Sequence, residues 1–269
     1  MQLFDTHTHF DVADFEHDRQ QLAVQAKRVG VEALVLIGFI ESRFDELIQT
    51  HQQLQRWQNV PQSYLAPGLH PFYIEQHQAQ HLQQLERLLQ QHECVAVGEI
   101  GLDTFLTQHK QPAVFAKQQQ YFIAQLTLAT QYQKPVLLHI RKAHAESIAI
   151  LKQQKFKLGG IAHAFSGGVE EAKVLVKLGF KIGITGQITN PNAKKLQQVV
   201  HAIGAEHLVI ETDCPDMTPL CCQTSTETKT RNTPANLPYV LEGLSQVLNV
   251  DSECLAQQVW LNSLAAFQL

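Results

Sequence analysis

Short apolar runs alternate along the chain with longer segments in which apolar residues recur at helical spacing. The apolar runs, each of strand length, lie near 2–5, 33–37, 63–67, 94–98, 135–139, 160–163, 180–184 and 207–211. The helical segments lie near 17–29, 43–58, 79–91, 112–132, 143–154, 168–178, 191–203 and 235–247, and a last one lies near 251–266. Strands that alternate with helices pair in parallel through crossover connections. Eight such pairs predict an α/β fold, a closed (β/α)8 TIM barrel with an additional C-terminal helix.

An open, doubly wound sheet is the alternative arrangement of the same elements. That fold usually has fewer strand–helix units and often a glycine-rich first turn, which this sequence lacks. Gly30, Gly179 and Gly204 follow predicted helices, where a left-handed cap favours glycine. No Gly/Ser or Pro linker divides the sequence, so we expect a single domain over residues 1–269.

Composition and charge narrow the classes of protein. A hydrophobic content of 44% in 269 residues is enough for a large core. No run of about 18 apolar residues occurs, which excludes a transmembrane helix, and no signal-peptide pattern opens the chain. Five cysteines, an odd number without Cys-x-x-Cys spacing, fit a reducing cytoplasm, and Cys94 and Cys254 lie in apolar patterns that predict core positions. The net charge of -4 argues against a broad basic surface, so any nucleic acid would be held locally by metal and a few cations.

The first strand ends in two histidines, His7 and His9, that are two residues apart. Alternate residues of a strand project from one face, so both imidazoles would point at the same place. Neutral imidazole is a common ligand of zinc and similar ions, and the pair therefore predicts the start of a metal site. Taken alone, the pair is also compatible with two surface histidines in a loop.

The catalytic residues of a closed barrel lie at the carboxyl ends of its strands. This rule brings further polar residues to the rim that carries the first two histidines: His70, Glu99, His139, Arg141, His163 and Asp213. Singly, His139 could be a core imidazole and Asp213 a helix cap. Together, the proposed ligands are too many for one catalytic zinc. The set consists of four imidazoles and two carboxylates: His7, His9, His139, His163, Glu99 and Asp213. They predict two divalent ions that share a carboxylate, with Zn, Mn, Mg, Co and Ni all open.

Six sequence blocks, in their order along the chain, resemble the signature blocks of the TatD-type metal-dependent deoxyribonucleases. The blocks are Asp5-Thr6-His7-Thr8-His9, Gly68-Leu69-His70-Pro71, Val97-Gly98-Glu99-Ile100-Gly101-Leu102-Asp103, Leu138-His139-Ile140-Arg141, His163-Ala164-Phe165-Ser166-Gly167 and Glu211-Thr212-Asp213. The segment Cys214-Pro215-Asp216-Met217 is similar to the YjjV-like branch of that family. The resemblance covers nearly the whole chain and implies a metal-dependent TIM-barrel hydrolase.

By position, the resemblance assigns His7, His9 and Asp213 to the first metal ion. Glu99 matches the carboxylate shared by both ions, and His139 and His163 match ligands of the second.

Three positions depart from the family pattern without removing a ligand. The chain has Thr104-Phe105 where many members carry an aromatic residue, Ala164 in place of a cysteine, and Thr233 in place of the usual glutamate.

The function expected from these residues is that of a divalent-metal-dependent deoxyribonuclease, which hydrolyses DNA phosphodiester bonds with a metal-activated water. Asp213 would accept the proton of the water or orient it, and Glu99 would bridge the ions. Arg141 is expected to clamp a phosphate, because guanidinium pairs with phosphate oxygens; its alternative is a rim salt bridge. His70 is expected to face the substrate; its alternative is a turn residue held by Pro71. Asp103 and Glu211 are expected to orient ligands.

Two other functions use the same residues. The barrel and its ligands also serve metal-dependent hydrolases of small amides, esters or phosphoesters, and a non-enzymatic protein that binds metal or docks a partner is the third possibility. For the leading function, the expected partner is DNA, as single strands or ends, with no membrane and no obligate protein partner, and the expected state is a cytoplasmic monomer. The loop over about residues 214–233 is where we expect substrate selection.

Overall fold

The strands and helices alternate along the whole chain in the computed structural model, which describes residues 1–225 and 228–269. The strands are β1 Leu3–Thr8, β2 Val31–Ile37, β3 Gln62–Ala66, β4 Val97–Asp103, β5 Val136–Arg141, β6 Gly160–Ala162, β7 Phe180–Ile184 and β8 Leu208–Ile210. The helices are α1 Arg19–Arg28, α2 Phe44–Arg56, α3 Ala79–Gln91, α4 Pro112–Gln131, α5 His144–Gln153, α6 Val169–Lys177, α7 Lys194–Ile203, α8 Leu237–Leu248 and α9 Ser252–Phe267.

Parallel pairing closes the strands into a ring. Continuous ladders join β1 to β3 and β4 to β8. A bridge between Leu65 and Cys94 connects the two ladders at one seam. At the other seam, between β8 and β1, the Asp213 N–H donates to the His7 carbonyl over 2.9 Å. The predicted (β/α)8 barrel is thereby confirmed.

The barrel interior is filled by apolar side chains and closed at one end by the last helix. The inward residues form a cluster separate from the core between strands and helices: Phe4, Ala33, Val35, Ile37, Ala66, Val95, Ala96, Leu137, Ile161 and Val209. Phe267 of α9 packs on Phe4 with ring centroids 5.6 Å apart, and Trp260 packs on the same ring at 5.8 Å. Because the amino-terminal part of the strands carries this packing, their carboxyl ends are left to carry polar groups.

Element boundaries differ from the sequence prediction where polar residues are buried or local turns compete with the helix. Strand β4 was expected near 94–98 but runs over Val97–Asp103, because Glu99 and Asp103 are buried inside the rim despite their charge. Helix α7 begins at Lys194 rather than at residue 191. There the Asn190 side chain accepts the Asn192 N–H over 2.9 Å and forms a turn before the helix.

Three smaller expectations have clear outcomes. The predicted glycine caps Gly30, Gly179 and Gly204 all have positive φ, at 96°, 89° and 78°. Cys94 is buried as predicted, but the core position predicted for Cys254 is wrong. Cys254 lies exposed in the first turn of α9, whose neighbouring Leu255 provides the buried face. Within the described ranges, no helix combines the length and hydrophobicity needed to cross a membrane.

Candidate metal centre

The side chain of Glu99 lies at the centre of a ring of imidazoles at the carboxyl ends of the strands. Its Oε2 atom faces Nε2 of His7 at 3.1 Å and Nε2 of His9 at 3.7 Å. Its Oε1 atom faces Nδ1 of His139 at 2.8 Å and Nε2 of His163 at 3.8 Å. The two oxygens of one buried carboxylate thus face two different pairs of imidazoles, and Oε1 also faces Nε2 of His70 at 3.3 Å.

Asp213 completes the ring on the side of β8. Its Oδ1 atom lies 3.8 Å from Nε2 of both His7 and His9, and Oδ2 lies 3.6 Å from Nε2 of His163. The residue has φ 52°, a left-handed conformation that aspartate tolerates better than most residues. The structure therefore brings together all six residues that the sequence proposed as metal ligands.

Carboxylates outside the ring fix the orientation of two imidazoles. His139 donates its Nε2 proton to Asp103 Oδ2 over 2.9 Å, so in the neutral ring the Nδ1 lone pair faces Glu99. His163 has Nδ1 at 2.9 Å from Glu211 Oε1, an ion-pair contact without hydrogen-bond geometry, and its Nε2 faces the centre. A carboxylate on the far nitrogen is the usual partner of a metal-binding histidine. Asp103 and Glu211 lie where the sequence placed ligand-orienting residues.

His70 has the opposite arrangement. Its Nδ1 accepts the backbone N–H of Phe72 over 2.9 Å, so the proton of the neutral ring is on Nε2. That Nε2 lies 3.3 Å from Glu99 Oε1 and 3.1 Å from His139 Nδ1. His70 therefore offers the centre a hydrogen-bond donor and no lone pair, which makes it unsuited to ligation although it is as close as the proposed ligands. It also caps the short helical turn Pro71–Tyr73, so the turn role considered for it holds as well.

The residues fit a metal centre because several buried atoms have no other partner. Both ring nitrogens of His7 and Nδ1 of His9 are buried without a hydrogen bond, an arrangement that is costly for polar atoms. The rings of His7 and His163 stack with centroids 3.5 Å apart. The donor set combines imidazole nitrogens with carboxylate oxygens and contains no thiolate, as in catalytic centres for divalent ions.

The ionisable groups of the ring differ in how their surroundings shift their pKa values. Burial opposes ionisation of Glu99, but the facing imidazoles, led by His70 and His163, hold its pKa well below the usual range. Burial also opposes protonation of His139, yet its hydrogen bonds to Asp103 and Glu99 raise its pKa to about 9. For His163, the charges of Glu211 and its neighbours overcome burial and raise the pKa to about 10.

Two other imidazoles of the centre, those of His7 and His70, have pKa values shifted in the opposite direction. Burial lowers the pKa of His7 to about 3, and burial lowers the pKa of His70 to about 4. His70 is thus neutral at pH 7, in agreement with the tautomer that its hydrogen bonds require.

Two buried aspartates were not assigned a role in the site from the sequence. Asp5 accepts the Thr212 N–H over 2.8 Å and the Thr212 hydroxyl over 2.6 Å, which ties β1 to the end of β8. Asp11 is buried, and its carboxylate has no hydrogen-bond partner within the described part of the chain. From the sequence, Asp11 is compatible with a turn or cap carboxylate.

An open cavity of about 590 Å³ leads to the ring of ligands. Aromatic side chains form one part of its lining, and Asp14, Asp216 and Met217 belong to it as well. The lining aromatic residues are Phe39, Phe72 and Tyr73. The cavity therefore combines a charged floor with apolar surfaces at its mouth.

Arg141, the predicted phosphate clamp, lines this cavity without forming the rim salt bridge considered for it. Its guanidinium carbon lies 3.5 Å from the centroid of the Phe105 ring. No acidic side chain of the described residues pairs with it. The arginine is held by stacking, and its N–H groups are left for other partners.

The predicted specificity loop, about 214–233, includes residues 226 and 227, which lie outside the described ranges. Pro215, Asp216 and Met217 from its first part line the cavity. Its last part is tied to the start of the chain, because Arg231 pairs with Asp18 through both terminal nitrogens. The loop is thus anchored where it leaves the site.

Comparison with known proteins gives consistent matches over the chain. A sequence profile of the family described as "TatD related DNase" matches residues 4–268. The chain is 36% identical over 217 residues to the uncharacterized metal-dependent hydrolase YjjV of Escherichia coli (strain K12), an alignment that covers 80% of each protein. It is 33% identical over 256 residues, 94% of each protein, to the 3'-5' ssDNA/RNA exonuclease TatD of Escherichia fergusonii. The crystal structure of YjjV, a TatD homolog from Escherichia coli K12, superposes with a TM-score of 0.88 and 32% identity, over 99% of this chain and 98% of that one.

Proposed function

The chain belongs to the TatD-related DNase family, and from this premise we propose that it is an exonuclease that hydrolyses phosphodiester bonds of single-stranded DNA. The resemblance predicted from the sequence blocks is confirmed, and the protein is a metal-dependent hydrolase. The substrate is inferred from a relative whose name gives single-stranded DNA and RNA. The observation that carries the proposal is the Glu99 carboxylate, whose two oxygens each face a separate pair of imidazoles.

The donor set supports two divalent ions. In the proposal His7, His9 and Asp213 hold one ion, His139 and His163 hold the other, and Glu99 is shared. When bound, such ions neutralise the charge on phosphoryl oxygens and lower the pKa of a coordinated water. The imidazole-rich donors favour zinc over magnesium, because magnesium prefers oxygen ligands.

The chain's own residues supply the remaining chemistry. Asp213, which faces the imidazoles of His7, His9 and His163, would accept the proton of the attacking water. His70, neutral and with its proton on Nε2, donates a hydrogen bond to a phosphoryl oxygen. Arg141 pairs its free guanidinium edge with a phosphate of the substrate.

A second candidate, hydrolysis of a small amide, ester or phosphoester, is favoured by the size of the cavity. Its volume of about 590 Å³ lies within the usual range of small-molecule sites.

For either substrate we infer a single domain over residues 1–269 that acts as a monomer, because all proposed ligands come from one chain. The five free cysteines support a cytoplasmic location.

The experiment combines metal analysis with cleavage of end-labelled DNA. Purified protein is analysed for metal content per chain and incubated with 5'-labelled and 3'-labelled single strands, with Mg, Mn or Zn supplied in turn. We expect about two ions per chain and stepwise shortening from one end, which Glu99→Gln abolishes. The matched control Glu170→Gln, on the exposed face of α6, should retain full activity. Metal-dependent cleavage of simple amides or esters with none of DNA would instead establish the second candidate.

A further inference from the structure

Two aromatic side chains associated with the cavity are exposed, although most aromatic rings of the protein are buried or half-buried: Phe72 lines the cavity, and Phe105 stacks on Arg141, which lines it. Phe72 is 40% exposed and Phe105 is 42% exposed. They follow the neighbouring strands β3 and β4, so both lie on the same side of the rim. A third aromatic of similar exposure in the described ranges, Tyr239 at 44%, belongs to α8 and does not line this cavity.

The ring of Phe72 is held in place from below. It contacts Tyr73 edge to face at a centroid distance of 5.3 Å and the buried His109 at 5.6 Å. The backbone N–H of Phe72 donates to His70 Nδ1. This bond links the position of Phe72 to the His70 imidazole, which faces Glu99. Phe72 is therefore a fixed apolar surface within the cavity, and stacking on it would require little ordering of the side chain.

The ring of Phe105 is already occupied by cations. Its backbone N–H donates to Asp103 Oδ1 over 2.7 Å, and the guanidinium carbon of Arg141 lies 3.5 Å from the ring centroid. Lys142 places its Nζ atom 4.8 Å from the same centroid. Neither cation has an acidic partner among the residues that the structure describes. A guanidinium stacked by its face keeps its in-plane donors free for an anion.

The position of these cations relative to the catalytic ring is set by β5. Arg141 lies two residues after His139 on that strand, so both side chains project from the same face. The exposed guanidinium therefore lies beside the proposed ligands, and Phe72 lines the same cavity. A phosphate and an aromatic ring system can bind here together.

We propose that Phe72, Arg141 and Lys142 form the subsite for the nucleotide next to the scissile phosphate. Phe72 stacks on its base, Arg141 and Lys142 bind its phosphate, and Phe105 is a positioning residue that holds the Arg141 guanidinium. This inference rests on the proposed nuclease function and deepens it. A base on Phe72 must be unstacked from its neighbours, which selects single strands, and every base offers a π-face, which makes the subsite independent of sequence.

The first experiment measures binding of the metal-loaded protein to fluorescein-labelled hexathymidylate with cleavage-resistant phosphorothioate linkages, by fluorescence anisotropy. A second probe has the same backbone with abasic tetrahydrofuran residues. Phe72→Ala should weaken binding of the first probe about tenfold and leave binding of the second unchanged, whereas Phe72→Trp should retain affinity. The matched control Tyr239→Ala should bind both probes as the wild type does.

The second experiment tests the role of Phe105 through Arg141. Phe105→Leu should raise KM for oligonucleotide cleavage about fivefold to tenfold with little change in kcat, because phosphate binding is lost and the reacting groups are intact. Phe105→Tyr, which keeps the aromatic face, should restore the wild-type KM. Arg141→Lys should behave like Phe105→Leu, since lysine neither stacks by a planar face nor pairs in a bidentate manner.

The outcomes separate this inference from the proposed function. If the wild type cleaves DNA but Phe72→Ala binds both probes normally, the subsite is wrong and the nuclease function stands. If base-dependent binding disappears in Phe72→Ala but no divalent ion supports DNA cleavage, the subsite stands and the nuclease function is wrong. Equal weakening of both probes by Phe72→Ala, or no binding by the wild type, overturns the subsite. Circular dichroism melting of each variant shows whether it is folded.

Discussion

At the scale of single residues, the partner on the far nitrogen decides what each imidazole of the centre can do. Asp103 accepts a proton from His139, and in the neutral ring this directs a lone pair inward. The Phe72 N–H does the reverse to His70 and directs a proton inward. The sequence located both histidines at strand ends but carried no information on their tautomers. Those depend on contacts across the rim that only the folded chain defines.

The substitution Asp103→Asn tests this assignment. The Phe105 N–H, which donates to Asp103 Oδ1 over 2.7 Å, would hold the amide oxygen in that position. The amide nitrogen would then donate to His139 Nε2, move the ring proton to Nδ1 and remove the lone pair that faces Glu99. We expect metal affinity to fall by roughly ten to a hundredfold, measured by isothermal titration with Zn or Mn.

The control for this substitution is Asp251→Asn. Asp251 accepts the Glu253 and Cys254 N–H groups at the start of α9, far from the centre. The Asp251→Asn variant should bind metal as the wild type does. Unchanged metal affinity in Asp103→Asn would contradict the tautomer assignment for His139.

At the scale of elements, the hydrophobic pattern predicted the strands and helices because each crossover unit buries its own apolar face. The barrel rule then placed the six proposed ligands at one rim without knowledge of any contact. The pattern could not predict what joins distant segments. Examples are the Arg231–Asp18 pair and the stacking of Arg141 on Phe105, since neither has a periodic signal.

The seam between β1 and β8 includes the buried contact of Asp5 with Thr212. This contact gives a prediction for the dependence of stability on pH. Burial raises the pKa of Asp5 to about 7 from an ordinary value of 3.8. Folding therefore favours the protonated carboxyl, and its contribution is complete below about pH 4 and is lost as the pH rises to about 7. Asp5→Asn keeps an acceptor for the Thr212 N–H and has no charge to bury. Relative to the wild type, its free energy of unfolding should increase between pH 4 and 7 by up to roughly 4 kcal/mol.

Urea denaturation at several pH values from 4 to 8.5 measures that difference. It should rise and then level off above pH 7, while the exposed Asp251→Asn should show no comparable rise over the upper part of this range. A difference between Asp5→Asn and wild type that is independent of pH would show that Asp5 is ionised in the folded protein throughout the range.

At the scale of the whole molecule, a net charge of -4 and a nucleic-acid substrate are compatible only if the contact with phosphates is local. Among the residues that the structure describes, few cations at the rim lack an acidic partner. Arg141 and Lys142 stack on Phe105, and Lys195 donates to the Ser166 carbonyl over 2.8 Å beside the cavity. This arrangement predicts binding with a weak dependence on salt, in contrast to proteins that cover DNA with a broad basic surface.

Two or three neutralised phosphates correspond to a slope of about -1.4 to -2.1 when log affinity for a single strand is plotted against log salt. Arg141→Ala should reduce the steepness by about 0.7, because it removes one phosphate contact. Lys173→Ala, a surface cation paired with Glu170 on α6, should leave the slope unchanged. A slope of about -4 or steeper, or one unaffected by Arg141→Ala, would mean that the strand is held by a surface other than this rim. The cavity would then be only the point at which the bond is cut.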